Sequence, residues 1–128
     1  PFYWEDIDLS FRAWRSGFIC LYDSGAQVDH FHQEGTVKKT KSPFLVKTVS
    51  YKNQFLFVWK NISDTLWLIQ HLLWFPYHFG RAFFTVDVAF FAGFAWALLK
   101  LPSLMFNHQL STINYQLTDR EVIEKFEK

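Results

Sequence analysis

Trp4-Glu5-Asp6-Ile7-Asp8-Leu9-Ser10-Phe11-Arg12 reads as the opening of an amphipathic helix whose first turn carries adjacent carboxylates. From this start Ile7, Phe11, Trp14 and Phe18 recur at i, i+4, i+7 and i+11, the apolar stripe of a helix laid against a core. Asp6 falls off that stripe, and the positions above it, Ser10 and Ala13, are small. A carboxylate at a helix N-terminus is held as the anion by the macrodipole and the free N–H groups. Small neighbours leave room for another group to approach it, and an ionised, reachable carboxylate is what a general base requires. Asp8 and Arg12, four apart with the acid first, read as an ordinary helix-surface pair without chemistry of their own. Gly17 stands where a C-cap glycine closes the helix.

Two strand-like runs follow, Phe18 to Tyr22 and Gln27 to Phe31, with Asp23-Ser24-Gly25 as the turn between them. Residues 32–41 are polar and read as loop. Cys20 is the single cysteine, so no intrachain disulfide can form, and its apolar surroundings predict a buried, inert thiol. Ser42-Pro43 supplies an N-cap and a proline at the first helical position, opening a helix to about Lys60. Ser63-Asp64 caps another helix. Thr118-Asp119-Arg120-Glu121 has the capping-box pattern and predicts a short terminal helix with Val122, Ile123 and Phe126 on its apolar face.

The balance of 13 basic and 12 acidic residues excludes a dedicated nucleic-acid binder, whose phosphate contacts need a strong basic excess. Aromatic residues make up 21% of the 128, which calls for either a large aromatic core or a membrane interface. From Val37 to Lys60 there are six lysines and no acid, interleaved with aromatic residues, a surface suited to an anionic membrane face. From Leu66 to Met105 the chain is largely apolar, punctuated by Pro76 and Pro102. Its longest stretch free of charge and proline, Val88 to Leu99, has 12 residues, whereas a membrane span needs about 20. Extension back to Ala82 takes in Asp87, which is costly at mid-bilayer. Interfacial or re-entrant helices are therefore expected, with Trp67, His71, Trp74 and His78 as an interfacial packing stripe. The chain begins at Pro1 and enters its acidic motif at once, so it is expected to be a piece of something longer.

Trp4-Glu5-Asp6-Ile7-Asp8-Leu9, then Arg12, Gly17 and His30-Phe31-His32, resembles the C-terminal part of the catalytic domain of family 2 glycosyltransferases, the inverting GT-A type. Tyr51-Lys52-Asn53-Gln54-Phe55-Leu56-Phe57-Val58-Trp59-Lys60-Asn61 is similar to the Asn-rich, Lys-Asn-terminated helix of bacterial members that build cell-surface polysaccharides. Thr118-Asp119-Arg120-Glu121 resembles their short tail helix. The resemblance implies an α-rich fragment of an α/β protein: residues 1–36 as the end of a Rossmann-like GT-A domain with two short strands, 37–110 as amphipathic membrane-associated helices, and 111–128 as a capped terminal helix.

In that family Asp6 would match the catalytic base, which takes the proton from the acceptor hydroxyl as it attacks the anomeric carbon of a nucleotide-sugar. Glu5 would match its neighbour, positioning the acceptor. His30, with His32 beside it, would match the histidine ligand of a divalent metal, Mn2+ or Mg2+, that neutralises the departing diphosphate. The implied partners are a nucleotide-sugar donor, a glycan or lipid-linked acceptor, and a membrane surface at the cytoplasmic face of the cell membrane. The Asp-x-Asp motif of the donor half has no counterpart here except Asp6 and Asp8, which lie inside the helix motif, so the 128 residues alone are expected to transfer no sugar. The alternative is a non-enzymatic membrane-surface scaffold of a polysaccharide assembly complex. A soluble metal-binding domain built on His30 and His32 has too few ligands nearby.

Overall fold

A computed structural model describes residues 3–21, 23–26, 41–110 and 115–125. Six helices run through them: α1 Glu5–Arg15, α2 Pro43–Asn61, α3 Thr65–Leu73, α4 Phe75–Phe84, α5 Val88–Leu110 and α6 Asp119–Glu124. Their ends follow local side-chain chemistry. The Ser42 hydroxyl accepts from the Leu45 N–H with Pro43 at the first helical position, and the Asp64 carboxylate accepts from the Leu66 and Trp67 N–H groups. Thr118 and Glu121 form the reciprocal capping box at α6. Gly17, at φ +84°, closes α1: its N–H donates to the Trp14 carbonyl and that of Phe18 to the Ala13 carbonyl. That pair of bonds is the Schellman motif, and it needs the left-handed glycine.

The α-rich expectation holds, but the two short strands of an α/β domain end are not seen. Among the described residues every regular element is a helix. Phe18–Leu21 is without regular structure: a strand exists only when a partner takes its N–H and C=O groups, and none lies beside it among the described residues. Phe18, Ile19 and Leu21 are exposed. Gln27 to Phe31 lies outside the described residues. Cys20 is exposed rather than buried, its Sγ 3.9 Å from the Ser10 carbonyl oxygen. The α1 stripe is shorter than its spacing suggests. Phe11 is buried, Ile7 is exposed, and Phe18 falls beyond the helix that Gly17 ends.

The core forms where α2 crosses α5. Ala89, Gly93 and Ala97 repeat every four residues, and the two alanines are buried. A Cβ on Gly93 would lie 2.7 Å from the Tyr51 Cβ and 2.8 Å from the Thr48 carbonyl oxygen. Glycine is what lets the two backbones approach so closely. Around the crossing, Phe55 meets Phe75, Phe90 and Phe94 edge to face at 6.0, 5.7 and 5.1 Å, and Phe79 extends the cluster to Phe90, Phe91 and Phe94. Tyr51, Phe55 and Trp59 of α2 thus serve this interior. Gly93→Ala is expected to lower stability by about 1–3 kcal/mol through overpacking against backbone. A urea midpoint equal to that of the parent chain would refute the close crossing.

The apolar segment from 66 to 105 is divided at two points. Trp74, followed by Phe75 and Pro76 in the first turn of α4, separates α3 from α4, and Thr85-Val86-Asp87 separates α4 from α5. Val86 sits at φ +53°, strained for a β-branched residue. Asp87 is placed at this junction, where Tyr51 Oη donates to it at 2.7 Å and Lys47 Nζ pairs with it at 2.9 Å. No helix among the described residues is long and apolar enough to cross a membrane.

Candidate functional site

The N-terminus of α1 is pinned onto α2. The Trp4 ring lies 5.7 Å from that of Phe57, Phe11 meets Phe57 edge to face at 5.5 Å, and Asn53 Nδ2 donates to the Tyr3 carbonyl at 2.8 Å. Tyr3 and Trp4 both adopt left-handed φ, at 66° and 74°, so the entry to the helix is strained where the acidic turn begins. Asp8 then ties the two helices together. Beside Arg12, whose Nε and Nη2 donate at 2.9 and 2.8 Å, it accepts Asn61 Nδ2 at 2.7 Å and faces Lys60 Nζ at 3.4 Å. It is more than the surface pair that its spacing suggests.

Partial burial pushes the Asp8 carboxyl upward, but the Asn61 hydrogen bond, Lys60 and Arg12 together outweigh it and hold the pKa below the ordinary carboxylate range. A depressed folded-state pKa means that the stabilisation is fully present above the unfolded value and is lost as pH falls through the folded one. Stability should therefore drop with acidification below about pH 4, and Asp8→Asn should flatten that part of the profile. An unchanged acid limb in the variant, followed by circular dichroism, would show that Asp8 does not contribute.

Arg15, one turn on, gathers the other end. Nη1 donates to the Asn61 carbonyl at 2.7 Å and pairs with Asp119 Oδ1 at 3.2 Å, Nη2 donates to Ser63 Oγ at 3.3 Å, and Nε to the Leu117 carbonyl at 3.4 Å. Its guanidinium also lies 4.0 Å over the Tyr115 ring. Asp119 is nearly fully buried, and its Oδ2 accepts from the Ser63 N–H and hydroxyl and from the Asp64 N–H. Arg120 pairs with Asp64 across the same junction. Asn61 is 1% exposed and serves both networks, Asp8 through its amide and Arg15 through its backbone.

Glu5 and Asp6 stand outside these networks. Both are exposed, and neither enters an ion pair among the described residues. Asp6 Oδ1 accepts the Ile7 N–H at 2.9 Å, one of the helix-terminal donors. It lines a groove of about 440 Å³ with Ser10, Phe57, Ile62 and Ile123. Glu5 opens instead on a groove of about 320 Å³ shared with Asp8, Asn53 and Lys60. The two carboxylates thus share a helix turn but not a pocket.

His30 and His32 lie outside the described residues, and among those described no three His, Cys, Asp or Glu side chains converge as a metal site. His71 and His78 are on different helices. His71 packs against Phe55 and Phe75, and its pKa is lowered by burial and then by His78. Asn53, Asn61, Arg15 and Asp119 escape a sequence reading, since their partners are distant in the chain. The one signal for Asp119 is its acid at the first position of a capped helix. Compared with protein-family models, with curated proteins and with solved structures, the chain matches none.

Proposed function

We propose that this chain is the acceptor-side part of an inverting, family 2-like glycosyltransferase, with Asp6 as general base and Glu5 as an acceptor contact. The observation that carries the reading is the meeting of three sequence blocks. Asp8 of the first block bonds Asn61 and faces Lys60 of the second, and Arg15, which lies within the span of the first block, bonds the Asn61 carbonyl of the second and pairs with Asp119 of the third. This arrangement engages Asp8 and, among the described residues, leaves Glu5 and Asp6 without ion pairs at the helix start. An alcohol is a poor nucleophile until its proton is being removed, and an exposed carboxylate beside a groove and a small residue has the access this step requires. The test is Asp6→Asn in the full-length enzyme, with loss of transfer expected and retained turnover removing the assignment.

The same proposal assigns His30, with His32 beside it, to a divalent metal that would neutralise the leaving diphosphate; metal titration of a variant lacking both histidines checks that part. It also places the protein at the cytoplasmic membrane surface. Support comes from exposed apolar side chains along the end of α3, α4 and the α4–α5 junction, among them Leu73, Trp74, Tyr77, Phe83, Phe84 and Val86. A Phe83→Ser/Phe84→Ser variant should leave phosphatidylcholine vesicles that the parent chain sediments with, and equal sedimentation would discard this surface. That surface equally favours a second reading, a non-enzymatic scaffold at the membrane, which predicts no effect of Asp6→Asn on sugar transfer.

A further inference from the structure

A groove of about 810 Å³ is lined by parts of α1, α2 and α5 together with Ile62, Ser63 and Tyr115. Arg12, Arg15, Lys52, Lys60 and Lys100 line it, and no Asp or Glu does. Three of these cations already have carboxylates behind them: Arg12 and Lys60 share Asp8, and Arg15 holds Asp119. Lys52 and Lys100 form no ion pair among the described residues. Lys52 is held over the Trp96 ring at 4.7 Å, and burial and then the charge of Lys100 both lower its pKa. Two ammonium groups brought into one groove repel each other and cost the folded chain free energy that a bound anion would offset. The groove is far larger than a single oxyanion, and Leu56, Trp59 and Leu104 give it apolar wall. That combination fits a multiply charged headgroup carrying something organic.

We propose that this groove binds a phosphate-bearing anion, a diphosphate or phosphate ester, through Lys52 and Lys100, with Arg12 and Lys60 at its rim. The ammonium groups supply charge-assisted hydrogen bonds to phosphate oxygens, and the low-dielectric walls strengthen them. The anion has two possible sources, a phosphate in solution or the headgroup of a lipid. The site stands apart from the Asp6 groove and holds whether or not Asp6 is a base.

Two measurements on the chain separate the sources: calorimetric titration with inorganic pyrophosphate, and sedimentation with phosphatidylcholine vesicles with and without phosphatidic acid. Binding of pyrophosphate assigns the site to a soluble phosphate. Preference for phosphatidic acid without pyrophosphate binding assigns it to a lipid headgroup. In whichever arm is positive, Lys52→Gln/Lys100→Gln should weaken binding by about tenfold or more, Lys52→Arg/Lys100→Arg should retain it, and Lys125→Gln, an exposed lysine that does not line the groove, should leave it unchanged. Without ligand the glutamine variant should melt at or above the parent chain, because the repulsion is gone; if it melts lower, Lys100→Gln alone, an exposed position, carries the comparison. No binding in either arm, equal binding by the glutamine variant, or an equal loss with Lys125→Gln overturns the site.

Discussion

Asp6→Asn in the full-length protein should, if Asp6 is the proposed general base of a glycosyltransferase, lower kcat for sugar transfer by about 10²–10⁴-fold while leaving KM for the nucleotide-sugar close to its parent value. The substitution is nearly isosteric, and its amide oxygen can still accept the Ile7 N–H that Asp6 Oδ1 accepts, so the helix start is kept. Lost is the carboxylate to which the proposed function assigns the proton. Asp8→Asn separates this effect from structural damage. Asp8 sits among Arg12, Lys60 and Asn61, so its replacement should move the unfolding midpoint, whereas Asp6→Asn should not. Glu5→Gln belongs to a different groove and should raise KM for the acceptor more than it lowers kcat. Full turnover in Asp6→Asn, with folding intact, would leave the acidic turn without a catalytic role.

Arg15→Ala should cost about 3–5 kcal/mol, a large share of the roughly 5–15 kcal/mol that holds a domain of this size together. The guanidinium contacts Asn61, Ser63, Leu117 and Asp119, and its removal strands a carboxylate that is 1% exposed. Arg15→Lys should recover little, because a point-charge ammonium cannot reproduce a planar fork aimed at several acceptors. The paired replacement Arg15→Met/Asp119→Leu should be milder than either single change, since both buried charges leave together. Equilibrium urea unfolding reads all of these variants. An Arg15→Ala chain within about 1 kcal/mol of the parent would mean that the pair holds nothing.

Three helix starts were legible in the sequence because a cap is a bond between a side chain and a backbone group two or three residues away. Ser42, Asp64 and Thr118 each cap the helix that their position implies. Asp8 was only half legible. Its spacing to Arg12 announced one bond, whereas Asn61 lies 53 residues further on and nothing local signals it. Phe18 to Leu21 misleads in the opposite sense: an apolar run carries the composition of a strand but no information about a partner. The small-residue repeat Ala89, Gly93 and Ala97 was hidden inside a segment whose hydropathy pointed to lipid, and it is the shape of the α2–α5 crossing that uses it. For the candidate site, the sequence could place Glu5 and Asp6 on one turn, but the rings of Trp4 and Phe57 decide which groove each reaches.

The bond from Arg15 to the Leu117 carbonyl closes a loop of 102 residues, and it bears on the order in which the molecule comes into being. Contacts this distant in sequence form late, after the local helices and the α2–α5 crossing have had time to assemble. On a ribosome, α1 emerges 102 residues ahead of Leu117, so Arg15 must wait for that whole stretch before it can meet Leu117 and Asp119. The segment from residue 115 therefore completes the fastening: without it α1 would be held by α2 and Ser63 alone, with Arg15 lacking its partners at Leu117 and Asp119.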